Sequence, residues 1–268
     1  MKNLIQSTKQ LLETKQPLPF TVYTSVERQR IANVPIIKPM LVCVLDGYKK
    51  LGLSGEINCQ AGNFIFLSGS QRLEIQNIPV NTEYLALIIE FDFDDFKCLK
   101  RQQSKAQKYF QGKIDLPLKT TLQQFVDWSA LAPVEMWPVR RQEILQLLYH
   151  TGFKQVSSLA EALGVKQKLY SLMSANVADD LSAQSLASEL AMSESTLRRK
   201  LQSEGTSFQE IKNNVKLGYG LHLVQTSHNP IGQIAEACGY QSQSRFTDKF
   251  KQLFGVTPSE LRKTRLNE

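Results

Sequence analysis

A chain of 268 residues that is 42% hydrophobic is long enough to bury two separate cores, so two domains are the natural expectation. The longest apolar runs, 40–45 and 85–89, are far too short to span a bilayer, and the opening MKNLIQSTKQ lacks a signal-peptide core. Cys43, Cys59, Cys98 and Cys238 are scattered with no Cys-x-x-Cys spacing, so a cytoplasmic protein with reduced thiols and no membrane partner is expected.

The formal net charge of +7 invites a nucleic-acid partner, but residues 171–268 carry 11 Lys/Arg against 10 Asp/Glu, so +6 of it lies in residues 1–170. In the second half the basic groups are clustered instead, at Arg198-Arg199-Lys200, then Arg245, Lys249 and Lys251, then Arg262, Lys263 and Arg265.

The first ~90 residues read as β-structure, with short apolar segments at 40–45, 63–67, 73–78 and 84–91. Turn signals separate them at Asp46-Gly47, Ser54-Gly55, Ala61-Gly62, Ser68-Gly69 and Ile78-Pro79. Many short strands with glycine turns predict a small barrel or sandwich. Its strand region holds no histidine, since His150, His222 and His228 all lie beyond it. Metal catalysis, which would assemble histidines with a carboxylate, is therefore disfavoured, and no phosphate loop or nucleophile elbow occurs. Glu56, Glu74 and Glu83 read as solvated strand residues. No enzyme, metal or cofactor is expected.

From Asp94 the pattern turns helical. Residues 94–112, with Lys97, Lys100, Arg101, Lys105 and Lys108, read as an exposed basic helix whose charges are a solvated face rather than a second nucleic-acid surface. Pro117 opens a helix with Leu118, Leu122, Phe125 and Val126 on one stripe, and Pro138 opens another carrying Ile144, Leu147 and Leu148. These stripes either cover the sheets or face a second copy. Residues 1–150 are assigned to one domain and 151–167 to a connector bent at Gly164.

Residues 168–268 form the second domain, opened by an amphipathic helix with Leu169, Leu172, Met173 and Val177. An internal repeat follows: Leu186-Ala187, Ser193, Leu197 and Leu201 echo Ile234-Ala235, Ser242, Phe246 and Phe250. After each serine, which supplies an N-cap oxygen, apolar residues fall at +4 and +8. In the second copy Gly239 suits a left-handed helix end. Each copy reads as a helix-turn-helix unit, at about 183–204 and 231–254, and a long helix over 207–225 joins them, with Phe208, Ile211, Val215 and Leu223 inward. The outward residues are amides, hydroxyls and cations, the groups that read base edges and phosphates. They are Ser195, Thr196, Arg198, Arg199 and Gln202 in the first copy, and Gln243, Ser244, Arg245, Thr247, Lys249 and Lys251 in the second.

The stretch Ile234-Ala235, Ala237-Cys238-Gly239-Tyr240, Gln241-Ser242-Gln243-Ser244, Phe246, Phe250-Lys251, Phe254-Gly255 and Thr257-Pro258 resembles the AraC/XylS family of bacterial transcription regulators. The resemblance covers about the last hundred residues. It implies an α+β chain with a cupin-like N-terminal sensor barrel, accessory helices that commonly mediate dimerisation, and an all-α DNA-binding domain. It further implies a promoter-binding regulator, an activator by analogy, with RNA polymerase as a partner and the barrel under the control of a small-molecule effector or, alternatively, of a protein partner. Three positions depart from the family pattern. Lys216 stands for the usual arginine, Gly220 for alanine at a cost of about 0.8–1 kcal/mol in helix propensity, and Asp248 lies where relatives carry arginine.

Overall fold

The computed structural model describes residues 1–12, 16–52, 55–68, 71–80, 82–100, 108–159, 164–179 and 181–265. The chain separates into two compact units, one of Met1–Arg30, Lys38–Glu161 and Thr264–Glu268, the other of Ile31–Ile37 and Ala162–Lys263.

The first unit begins with helix α1 (Lys2–Leu12) and continues through strands β1 (Thr21–Ser25), β2 (Gln29–Ile36), β3 (Met40–Asp46), β4 (Tyr48–Leu51), β5 (Ile57–Gln60), β6 (Asn63–Leu67), β7 (Gln71–Ile78), β8 (Tyr84–Glu90) and β9 (Tyr109–Lys113) to helices α2 (Leu116–Ser129) and α3 (Trp137–His150). The strands form two sheets, ordered β1-β8-β3-β6-β9 and β2-β7-β4-β5. Among the described residues no ladder joins them, so the predicted barrel is two open sheets rather than one closed by hydrogen bonds. β3 and β8 are near-continuous apolar runs because both lie inside the five-stranded sheet and are buried along their length. Their register shifts between Val44 and Asp46, and the chain then turns at Gly47, φ +69°, where a Cβ would lie 2.6 Å from the Ile78 carbonyl oxygen. Gly55 and Gly62 also hold positive φ at their predicted turns; Ser54 and Gly69 lie outside the described residues.

The predicted stripes of α2 and α3 cover this sheet. Leu118, Leu122, Phe125, Val126, Ile144 and Leu148 join Leu41, Phe64, Phe66, Leu87 and Phe91 in one core. Rings stack within it, with Phe66 5.1 Å from Phe110 and 5.4 Å from Phe91. Arg141 on α3 donates to Asp95 Oδ2 at 2.6 Å and to Asp92 Oδ2 at 2.8 Å, so the buried Asp95 carboxylate is neutralised where the chain leaves β8. The connection between α2 and α3 instead turns Leu131 and Val134 to the surface, and Val139 in the first turn of α3 is exposed beside them in sequence.

Several expectations are corrected. The chain opens in a helix, not a strand: α1 buries Leu4 and Thr8 and packs along α2. Among the described residues no α-helix lies in 94–112. Phe93–Cys98 is a short 3-10 turn and Tyr109–Lys113 is strand β9, paired with β6 through Phe110 opposite Phe66; Arg101 and Lys105 lie outside the described residues. The β-sheet edge beside β6 outweighs helix propensity here, because Phe110 joins the aromatic stack. Glu83 is buried rather than solvated, and Lys9 of α1 neutralises it.

The second unit is helical: α4 (Val165–Ala175), α5 (Ala183–Glu189), α6 (Glu194–Ser203), α7 (Phe208–Thr226), α8 (Ile231–Ala237), α9 (Gln243–Phe254) and α10 (Pro258–Lys263). α7 starts at the Ser207 cap, whose hydroxyl accepts from Glu210 N. It buries Ile211 and Val215 as predicted, but Leu217, Leu221 and Val224 lie deeper than Leu223 and Phe208 because α7 is enclosed on more than one side. Asn214 is buried too, donating to Tyr170 Oη of α4 at 3.0 Å.

Gly220 has a structural reason. A Cβ there would sit 2.7 Å and 2.8 Å from ring atoms of Phe246 and 3.2 Å from Cys238 Sγ. Phe246 is fully buried between Tyr240 and Phe250, so its ring has nowhere to retreat. Overpacking of this kind costs about 1–3 kcal/mol, more than the ~1 kcal/mol of helix propensity that alanine restores. Gly220→Ala is therefore expected to lower the denaturant midpoint; a higher midpoint would show that the Phe246 ring yields.

Candidate nucleic-acid interface

Both helix-turn-helix units are built by the same local devices. In the first, Leu186 and Ala187 of α5 and Leu197 and Leu201 of α6 are buried, and Ser193 Oγ accepts from Thr196 N at 3.2 Å. In the second, Ile234 and Ala235 of α8 and Phe246, Phe250 and Phe254 of α9 are buried, and Ser242 Oγ accepts from Arg245 N at 3.3 Å. Each turn is closed by an equivalent backbone bond, Met192 N to Ala187 O at 3.0 Å and Tyr240 N to Ala235 O at 2.9 Å.

The residue within each turn differs. Gly239 takes φ +70°, while its counterpart Ala191 takes φ +53° despite its Cβ. Gly239 is needed for space as well as conformation, since a Cβ would meet Ala178 O and Lys216 Nζ at 2.6 Å. Lys216 itself donates to Gly239 O at 3.2 Å, so the lysine at this departure from the family pattern fastens α7 to the second turn. Cys238 is fully buried beside Gly220, and burial pushes its thiol up to about 12, which keeps it protonated. α9 ends at Gly255, φ +75°, whose N–H donates to Lys251 O at 2.8 Å.

With the apolar stripes turned inward, the helices present a polar face outward. On α6, Ser195, Arg198, Arg199 and Gln202 are exposed and Thr196 is half-buried. Ser195, Arg199 and Gln202 share one stripe at i, i+4, i+7 spacing. Arg198 forms an intrahelical pair, with Nε 2.8 Å and Nη2 2.6 Å from Glu194 Oε1, an exposed contact that competing phosphate can displace. On α9, Gln243, Ser244, Arg245, Lys249 and Lys251 are exposed and Thr247 is half-buried. Arg245 and Lys249 share a stripe with Gln252, whose Oε1 accepts from Lys249 Nζ at 3.1 Å. Ser244 and Lys251 flank Asp248, also exposed, which places one negative charge within the otherwise cationic face. Lys200, outside the residues the sequence pattern singles out, is also exposed in the last turn of α6. Its membership of the Arg198-Arg199-Lys200 run was the available signal. Among the described residues no group of three or more His, Cys, Asp or Glu is placed to hold a metal ion, and no helix is long and apolar enough to cross a membrane.

A protein-family model described as a helix-turn-helix domain matches residues 186–264. The chain is 32% identical over 94 residues to the HTH-type transcriptional regulator AdiY of Escherichia coli, covering 35% of this chain and 37% of that protein. It is 28% identical over 151 residues to the regulator GadX of Escherichia coli, covering 54% of each. The chain thus spans about half or less of the length of these curated relatives. Among solved structures, an apo variant of ToxT from Vibrio cholerae matches over 94% of this chain and 99% of its own, with a TM-score of 0.68 at 17% identity. ToxT with a bound unsaturated fatty acid matches over 93% and 96%, with a TM-score of 0.63 at 18% identity. The chain therefore has a ToxT-like fold, and residues 186–264 form a helix-turn-helix domain.

The two turns make opposite forecasts. A left-handed residue with a Cβ costs about 1–2 kcal/mol relative to glycine, so Ala191→Gly is expected to raise the thermal midpoint. Gly239→Ala is expected to lower it by more than that cost alone, because the added carbon also meets Ala178 O. Equal and opposite shifts at the two sites would show that the contact at Gly239 carries no weight.

Proposed function

We propose that this chain, whose residues 186–264 match a helix-turn-helix domain, is a sequence-specific transcription regulator of the AraC type that binds promoter DNA through α6 and α9. The observation that carries the proposal is the pairing of two capped helix-turn-helix units on one uninterrupted helix, α7, each exposing guanidinium and amide groups while its apolar residues are buried. Two recognition helices so joined suit successive major-groove segments about one DNA turn, ~34 Å, apart. Arg198 and Arg199 would serve the first segment, and Gln243, Arg245 and Lys249 the second; Ser195, Thr196, Gln202, Ser244, Thr247 and Lys251 complete the set.

The sheet unit is assigned the role of sensor. Its ToxT-like fold, shared with a fatty-acid-bound structure, supports a small-molecule effector as the signal and control of promoter binding or RNA polymerase contact as the output. Activation is the sign of regulation we assign, in the cytoplasm and without enzymatic activity. The exposed Leu131 and Val134 between α2 and α3, with Val139 in the first turn of α3, favour a protein contact there, and we assign it to a homodimer.

Replacing Gln243 or Arg245 with alanine is expected to relax base preference in a binding-site selection, since each bidentate pair is worth ~1–3 kcal/mol of discrimination. An unchanged motif in both variants would remove α9 as a reader.

The two-segment geometry has its own test. A footprint of the full chain on a selected site should cover two major-groove segments ~10–10.5 base pairs apart, with a salt slope near −0.9 per phosphate neutralised. Five base pairs inserted between the segments turn one to the far side of the duplex, where rigid α7 cannot follow. Affinity should then fall toward the non-specific level; retained affinity would mean that one unit binds alone.

A further inference from the structure

Lys49 lies on β4 with only 2% of its surface exposed. Its own strand offers it no carboxylate, and the side chains opposite are Cys59 on β5 and Asn77 on β7. Nζ donates to Asn77 Oδ1 at 2.6 Å and lies 3.3 Å from Tyr84 Oη of β8 in the other sheet. The surrounding ionisable groups are held neutral: burial raises Cys59 to about 11, and burial likewise lifts Tyr84, Tyr23 and Cys43 above their ordinary values. Of the nearby carboxylates, Glu83 is engaged by Lys9, Glu74 by Arg30 and Asp46 by the Gly47 N–H, while Lys50 turns toward the Tyr48 ring. A buried ammonium whose described partners are neutral oxygens releases its proton readily, and burial brings Lys49 down to about 7.

The polar atoms beyond Lys49 form a directed chain. Asn77 Nδ2 donates to Gln29 Oε1 at 2.8 Å, and Gln29 Nε2 donates to Thr264 Oγ1 at 2.8 Å. Thr264 also accepts from Val26 N through its carbonyl, at 2.9 Å, and follows directly on the last residue of α10. Every donor points the same way, from Lys49 to Thr264, so a positive charge at the head polarises each bond in turn.

We propose that Lys49, Asn77, Gln29 and Tyr84 form a proton-sensing site whose charge state sets how firmly Thr264, directly after α10, is held. With the proton bound, Nζ donates to Asn77 Oδ1 and Tyr84 Oη. With the proton released to solvent, the amine lone pair accepts from the Tyr84 hydroxyl, one N–H still reaches Asn77, and the polarisation of the chain is lost. The unfolded chain holds this proton up to about 10.5 and the folded chain only to about 7. The folded state therefore gains stability from this group as pH rises from about 7 to 10.5, and below 7 the contribution is constant.

The test follows the native full chain by NMR, with 15N-labelled lysine. Lys49 Nζ should titrate with a midpoint near 7, and the Val26 amide should exchange more slowly, relative to its intrinsic rate, on the acid side of that midpoint. In Lys49→Met, which keeps the volume and removes the charge, the pH step in Val26 protection should vanish. A Lys49 ammonium that stays charged to pH 9 overturns the site, and this needs no variant to fold. A Val26 step that survives in Lys49→Met overturns the relay. On selected DNA, native affinity should change several-fold across the same midpoint while Lys49→Met stays flat. A native affinity that does not change overturns the link to regulation, whereas a chain that binds DNA at no pH contradicts the proposed function and leaves the titration standing.

Discussion

The helical unit depends on how closely α9 approaches α7. Phe246, Phe250 and Phe254 stand one turn apart on α9, with neighbouring rings 5.6 Å and 4.6 Å between centroids, and all three are buried. Gly220 admits the first ring to the surface of α7, and Lys216, one turn earlier, reaches the Gly239 carbonyl from the same helix. The second turn is thereby fixed to α7 from both sides. What the resemblance marks as two departures, a glycine and a lysine, are the residues that seat the second unit.

The first unit obeys a different constraint. Its five-stranded sheet is covered by α2 and α3, and the buried aspartate where β8 ends is matched by Arg141. Its smaller sheet carries buried polar groups, Lys49, Asn77 and Gln29, joined to one another by hydrogen bonds. Such a network costs desolvation that an apolar core would not, and a lysine without a carboxylate partner is the largest part of that cost. Well-packed apolar residues of similar volume would avoid that cost.

Legibility in the sequence followed the physics of each element. β3, β6 and β8 announce themselves as apolar runs, and the capping serines with apolar residues at +4 and +8 fix α6 and α9 to the residue. β4 and β5 were hidden because a strand written YKKL or INCQ looks solvated; nothing local says that Lys49 points inward. α1 is short and polar and is held by α2, more than a hundred residues on. β9 is defined by its partner β6, a pairing that no local pattern carries. The exposed faces of α6 and α9 were readable because removing the buried stripe leaves only one set of residues. The Glu194 clasp on Arg198 required coordinates.

Ala191 gives the twin units unequal tempers. A side chain held in the left-handed region keeps the first turn under tension that Gly239 spares the second. Of two turns with the same architecture, the strained one is expected to open at lower free energy, so local opening of the helical unit is expected to start between α5 and α6.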